Sequence, residues 1–437
     1  MLQKNNLLIV GKDISGHYAG LAKGFKMNNY QCDFILIPNP MSYAKIDCPN
    51  FLFSKIYYFL SCQMDKKVHN FKFLIFYILH RLVSLIMPLW VILRYKKIYF
   101  IGGIDFSRTK FEFQLYKIFN VKSFISFHGS DLRPMYLNGI FLKSHEKKFL
   151  KNLALQTKLQ KKTIERKEYL SDYILASPSD HQFLSRSDVI NITKLGNIID
   201  EERILRIKKY KGSKKITVNK NITLLHCPSE FTAKGSLKII EIVNEIKNKY
   251  PFIELMLKQN ISNTEVISLM SNSDIIIDSL WNSSPAGAFP AEASFLGKPV
   301  IIGSYFAKIK DKIYKDKNDL PPYIFVLPDN FKKALEKLII DESHRKDIGK
   351  KLRSHFIKYS SQRKIAKKYE KIFENGPSSK YLFNPKKIQY IYGYGIDKIK
   401  LKEMLKSYIN ANDSSALYLN HDIDLKNKIM AFVYDDN

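Results

Sequence analysis

Short apolar runs recur along this chain, each closing on a glycine or polar loop and most leading into a stretch of helical period. "NLLIVG" (6–11), "CDFILIP" (32–38), "KIYFIGG" (97–103), "VKSFISFHGSD" (121–131) and "SDYILASPSD" (171–180) form a first series. A second opens at residue 222 with "ITLLHCPS", then "FIELMLKQ" (252–259), "DIIID" (274–278) and "PVIIG" (299–303). Runs this short and this uniformly apolar suit parallel strands covered on both faces, and the helical stretches supply the crossovers that parallel pairing requires. Between the series lies the lysine-rich joint "KKYKGSKKITVNKN" (208–221). At 437 residues the chain exceeds what one core usually serves. The pattern predicts an α/β protein with two doubly wound domains: residues 1–195, a linker at 196–221, and 222–343. One long charged helix at 344–374 is expected to return to the first domain. The extension at 375–437, with eight lysines against seven acids from 381 onward, receives no chemistry.

Composition narrows the function. Cys32, Cys48, Cys62 and Cys227 form no close pair, so neither a CxxC metal or redox site nor a disulfide framework is expected. "NLLIVG" reads as a first strand rather than the core of a signal peptide, which predicts a cytoplasmic setting. The net charge of +30 favours anionic partners, yet zinc-finger spacing, RNA-binding aromatics and a helix-turn-helix are all absent, so no nucleic-acid partner is expected. Residues 71–94, "FKFLIFYILHRLVSLIMPLWVILR", are almost long enough to span a bilayer but are interrupted by His80, Arg81 and Pro88. Lys66, Lys67, Lys72, Arg94, Lys96 and Lys97 bracket them. Three readings stand: a helix lying on an anionic membrane face, a buried helix, or a true span.

The loops at the strand ends carry the candidate chemistry. These are "VGKDISGHYAG", "FHGSDLRP", "CPSEFTAKGS" and "NSSPAGAFPAEA". Open α/β sheets bind ligands at the carboxyl ends of their strands. Lys234 and Gly235 open a helix, where free amides and an ammonium suit a phosphate. Gly16, Gly287 and the small residues around Gly287 let backbone come close to a ligand, or merely permit tight packing. Glu292, expected in the first turn of a helix over "PAEASFLG", can accept hydrogen bonds from sugar hydroxyls or simply balance the helix dipole. His128 can donate to a hydroxyl or sit as a satisfied core histidine; Asp131 can cap the turn that leads to Arg133. No HExxH, Walker A or GxGxxG motif is present, so no metal and no cofactor are expected.

These residues carry a resemblance. "SNSDIIIDSLWNSSPAGAFPAEASFLGKPVII" (271–302), "HCPSEFTAKGSLKIIEIV" (226–243) and "FHGSDLRP" (127–134) resemble the GT-B-fold retaining glycosyltransferases of family 4, bacterial polysaccharide type. The likeness covers roughly residues 1–374 and is strongest over 222–303. It implies two Rossmann-like domains facing a central cleft and a nucleoside-diphosphate sugar as co-substrate, with no metal required. Glu292 falls at the second glutamate of the family's E-x7-E pattern, which binds the nucleotide ribose. Ser284 stands where the first glutamate meets the transferred sugar, and Gly287, Ala288 and Phe289 line the donor loop. Lys234, beside Gly235, falls at the lysine facing the diphosphate. The arginine that usually precedes it is replaced by the loop of Ser229, Glu230 and Thr232, and Arg133 is the nearby base that could compensate.

By this resemblance the protein transfers a sugar with retention to an oligosaccharide or lipid-linked acceptor in cell-surface polysaccharide synthesis, peripherally on the cytoplasmic membrane face. His128 and Lys234 serve the chemistry, while Asp131 and Arg133 line the acceptor side or cleft. Two alternatives share the architecture: a catalytically silent sugar- or partner-binding subunit, and a nucleotide-sugar 2-epimerase.

Overall fold

A computed structural model describes residues 5–37, 51–64, 71–211, 221–284 and 287–435. Cys48, Lys66, Lys67 and most of the 208–221 joint lie outside them; the other three cysteines are unbridged.

Among the described residues, two sheets form. The first contains β1 (Asn5–Lys12), β2 (Cys32–Ile37), β3 (Tyr95–Phe100), β4 (Lys122–Ser126), β5 (Tyr173–Ala176) and β6 (Val189–Asn191), all parallel. The second contains β7 (Ile222–His226), β8 (Ile253–Leu257), β9 (Ile275–Ile277), β10 (Val300–Gly303) and β11 (Ile324–Val326), also parallel. A short β12 (Leu382–Phe383) pairs antiparallel with β6, giving the orders β12-β6-β5-β4-β3-β1-β2 and β11-β10-β9-β7-β8.

The uniform apolarity of the strands follows from this layering. In β1, Leu7 and Ile9 face one core layer while Leu8 and Val10 face the other. Leu224 and Leu225 divide the two faces of the second sheet in the same way. Each sheet also reverses its winding once, between β1 and β3 and between β7 and β9. Such reversals leave a crevice at the carboxyl ends of the strands, because the crossovers on either side leave in opposite directions. Two crevices therefore exist before any side chain is considered.

The segment between the sheets is more structured than a linker. Helix Glu201–Lys211 lies within it, and Ile199 and Ile204 join the core of the second sheet. The stretch read as one helix at 344–374 is two. Glu342–His355 packs on the helix Ala288–Leu296, a five-residue π turn follows at Phe356–Ser360, and only Gln362–Asn375 crosses to cover the first sheet. Extended Ser361 makes the break; its hydroxyl type favours helix starts over helix interiors.

The extension folds onto the first domain. Helices Lys398–Asn412 and Ile423–Tyr434 extend the core that also holds helix Lys147–Leu170, with Tyr136 against Tyr408. Before them the backbone of 393–395 passes between the domains: Gly139 N–H donates to Tyr394 and Gly395 N–H donates to Trp281.

Helix Phe71–Arg94 buries Ser84, Met87, Pro88, Trp90, Val91 and Ile92 in its later turns, and in its middle His80 bonds Ser61 and Arg81 donates to the Ser107 carbonyl. Its other face is open, with Phe71 76% and Leu82 54% exposed, which excludes a fully buried core helix. By length and composition it is able to cross a membrane. Of its basic flanks, Lys97 is committed elsewhere, in an ion pair with Glu374 on the returning helix at 2.6 Å.

Candidate active site in the interdomain cleft

The second-sheet crevice is built from the ends of β7 and β9. Lys234 lies in the turn before helix Ser236–Lys249, whose N-cap Gly235 has φ 73°. A Cβ there would stand 2.8 Å from that of Leu280, so only glycine lets the turn close against the loop after β9. The Leu280 N–H donates to the Lys234 carbonyl at 2.9 Å, and the Lys234 ammonium donates to Asp278 at 3.0 Å. Burial works against ionising Asp278, but the Lys234 charge and the Ser279 and Asn282 donors override it and hold the carboxyl below its usual range. Asn282 in turn accepts from the Ser284 N–H at 2.9 Å. One hydrogen-bonded chain thus runs from Lys234 to Ser284. Beneath it, His226 donates from Nδ1 to the Ile277 carbonyl, so Nε2 accepts from Ser236 and the ring is a neutral brace.

The helix Ala288–Leu296 begins two residues before Pro290, which is harmless there because the first-turn amides have no helical acceptor. Glu292 consequently sits in the second turn rather than the first. Its side chain is buried, taking a hydrogen bond from Asn263 at 3.2 Å, and Arg203 bonds Asn263 and Thr264 behind it. Burial raises its pKa to about 7, against the Asn263 bond and the Arg203 charge. Gly287 is exposed at the mouth of the helix, with nothing within 4 Å of where a Cβ would stand. Ala288 is half-buried, and Phe289 turns its ring into the second core.

In the first domain, the loop after β4 carries the opposing groups. His128 Nε2 lies 2.7 Å from the Tyr18 hydroxyl and 3.2 Å from that of Ser126. Burial, then the nearby His17, lowers its pKa to about 3, so the ring is neutral at physiological pH. Its backbone N–H donates to Asp131 at 2.9 Å. Asp131 thus does cap the turn; burial raises its pKa despite that bond and the Lys167 charge. Gly16 is the left-handed N-cap of helix His17–Met27, and Asp13 takes hydrogen bonds from Tyr18 and Ala19 in that first turn.

Arg133 joins the halves. It pairs with buried Asp180 at 3.3 Å, donates to Ser283 at 3.1 Å, and stacks over Tyr394 at 4.2 Å. It therefore reaches the donor loop of the second domain, one residue from Ser284. The structure brings Lys234, Ser284 and Arg133 into connected networks and ties His128 to Asp131. Glu292 stands apart, on the Asn263–Arg203 side of the same loop.

Asp278, Asn263, Arg203, Asp180, Tyr18 and Tyr394 were not singled out from the sequence. Of these only Asp278 had a local signal, as the acid closing "DIIID" at a strand end.

No protein-family model matches the sequence. Among solved structures the chain resembles the apo structure of OtsA, with TM-score 0.51 and 11% identity over 85% of this chain and 99% of that one. The α,α-trehalose 6-phosphate synthase of Burkholderia multivorans gives TM-score 0.49 and 9% identity over 85% and 96%. HepE of Anabaena, solved in complex with UDP-glucose, gives 0.45 and 12% over 84% and 98%. At such identity the likeness to OtsA speaks for architecture alone, and it agrees with the two parallel sheets: the fold is GT-B, two Rossmann-like domains flanking a cleft.

Proposed function

We propose that this protein is a retaining glycosyltransferase that moves a sugar from a nucleoside-diphosphate donor to a glycan or lipid-linked glycan acceptor, in cell-surface polysaccharide synthesis at a cytoplasmic membrane face. The observation that carries the reading is Lys234, fixed on Asp278 at the second-sheet crevice, on the same loop system as the open amino end of helix Ala288–Leu296. A leaving diphosphate gains negative charge as the sugar–phosphate bond breaks. An ammonium already held in place and amides already oriented stabilise that charge without reorganising. Asp278 uses one of the three Lys234 donors, which leaves the others for phosphate oxygens. The acceptor hydroxyl attacks from the face the diphosphate leaves, and its proton passes to the departing phosphate. Neutral His128 orients a sugar hydroxyl rather than delivering a proton as a cation. Glu292 receives the ribose hydroxyls, and Arg133 offers positive charge beside Ser284.

A second reading, a silent sugar- or partner-binding subunit, is favoured by the engagement of both nearby cations with carboxylates, Lys234 with Asp278 and Arg133 with Asp180. Calorimetric titration with UDP, GDP and ADP and their sugars separates the two. The transferase should bind one of them, Lys234→Ala should weaken it roughly tenfold or more, and Glu292→Gln should weaken nucleotide and nucleotide sugar alike. Folded protein that binds none of the panel overturns the transferase reading.

A further inference from the structure

The first-sheet crevice, between the ends of β1 and β3, holds a cavity of about 550 Å³ that the donor chemistry leaves unused. Four cations line it, Lys12, Arg108, Arg166 and Lys167, against the single carboxylate Asp105. Asp105 draws Arg166 and Lys167 into the wall at 2.7 and 3.4 Å, so these long side chains are fixed rather than loose in solvent. Arg108 is presented differently. Its backbone is left-handed at φ 58°, a conformation that costs a non-glycine residue energy and persists only where the surroundings enforce it. Here they do: Arg166 bonds the Arg108 carbonyl, and Glu112 accepts from the Phe106 and Ser107 amides and the Ser107 hydroxyl. No ion pair or hydrogen bond holds the Arg108 guanidinium among the described residues. Among the described residues that line the cavity cations outnumber carboxylates, and Arg108, on a turn the fold holds in place, supplies the charge that suits a phosphate.

The cavity's other wall gives the second half of the inference. Tyr57, Ser61, Met64 and His80 line it from the helix pair Leu52–Met64 and Phe71–Arg94. The same two helices expose Phe59, Leu74, Ile78, Leu82, Leu85 and Leu89 on the outside. Lys55 and Lys72 on these helices, and Lys96 just after the second, are exposed as well. A contiguous apolar face with a basic fringe suits the interface of an anionic bilayer. The occupant that satisfies both features has an anionic head and a hydrocarbon tail. We propose that the acceptor is borne on a lipid with a phosphate or diphosphate headgroup, seated among Lys12, Arg108, Arg166 and Lys167 while its chain stays in the bilayer beneath the helix pair. Naming this lipid the acceptor rests on the transferase reading; the site itself does not. The Asp131 carboxylate lies 3.5 Å from where a Cβ on Gly102 would stand, at the end of β3, so the cavity adjoins the loop that carries His128.

Vesicle flotation of the full chain tests the site without any donor sugar. Phosphatidylcholine–phosphatidylglycerol vesicles are compared with and without a few mole per cent of a polyprenyl monophosphate, with vesicles matched for surface charge. Affinity should rise roughly tenfold with the phosphate lipid. Lys12→Gln with Arg108→Gln should erase that rise yet leave phosphatidylglycerol binding and the circular dichroism of the fold intact. Ile78→Asp with Leu82→Asp should abolish flotation altogether. Inorganic pyrophosphate should compete only weakly. No rise for wild type, or a rise that survives the double Gln variant, overturns the proposal. Pyrophosphate binding as tightly as the lipid overturns the lipid occupant in favour of a soluble anion. A chain that takes the phosphate lipid but binds no nucleotide sugar overturns the transferase reading alone.

Discussion

Glu292→Gln should stabilise the protein, and by an amount that depends on pH. Glu292 is 2% exposed, its pKa is raised from an ordinary 4.5 to about 7, and burial is the cause. The native carboxyl therefore keeps its proton to higher pH than the unfolded one. Stability is undiminished below pH 4.5, falls as pH rises through about 7, and stays reduced above. At ~1.4 kcal/mol per pH unit between the two pKa values, ionising Glu292 in the fold costs roughly 3 kcal/mol at pH 8 and roughly 1 kcal/mol at pH 5. Glutamine keeps an oxygen for Asn263 and removes that cost. Urea unfolding followed by tryptophan fluorescence should show the variant's midpoint about 1–3 M above wild type at pH 8, for slopes of about 1–3 kcal/mol/M. At pH 5 the gap should shrink to about a third. A shift of equal size at both pH values, or a variant less stable at pH 8, would refute the reasoning. A carboxylate retained against such a cost is what a ligand-binding role predicts. The same variant should accordingly bind donor more weakly, and wild-type donor affinity should rise between pH 6 and 8.

Arg133→Ala should leave Asp180 charged and buried without its partner, at a cost of about 3–5 kcal/mol at neutral pH. A fall in the urea midpoint reports it, and adding Asp180→Asn should restore much of the loss. Gly235→Ala should cost about 1–3 kcal/mol, since φ is 73° and the new Cβ meets that of Leu280 at 2.8 Å. Gly287→Ala, with φ −107° and open space around it, should change stability by no more than ~0.5 kcal/mol. Thermal denaturation of the pair checks that contrast; equal effects would contradict the geometry.

The strands were legible because burial on both faces writes itself into sequence as unbroken apolar runs, as in "NLLIVG" and "DIIID". The capping box of Ser262 is likewise a local feature, because its partner Glu265 is three residues away. What was missed depends on distant pairs. Arg133 meets Asp180 and then Ser283 across the cleft, and Glu292 meets Asn263 and Arg203 through the tertiary fold. No spacing encodes such partners. The expected start of the helix holding Glu292 is too late because Pro290 resembles a first helical residue, whereas proline is also tolerated elsewhere in the first turn. The 344–374 stretch kept a helical composition throughout, so its break at Ser361 is visible only once its halves are seen on different domains. The wedge at 393–395 has no period at all, and its place between the domains comes from backbone bonds to Gly139 and Trp281.

The central claim is sugar transfer from a nucleotide donor with retained configuration. Its most direct test is to incubate the protein with a panel of nucleoside-diphosphate sugars and membrane-extracted acceptor, then read product mass and the anomeric proton coupling. The account predicts an acceptor heavier by one sugar residue, carrying the anomeric configuration of the donor. An inverted linkage would contradict retention. Donor converted to its C2 epimer without acceptor, or no turnover by folded protein with any donor in the panel, would contradict the transferase itself.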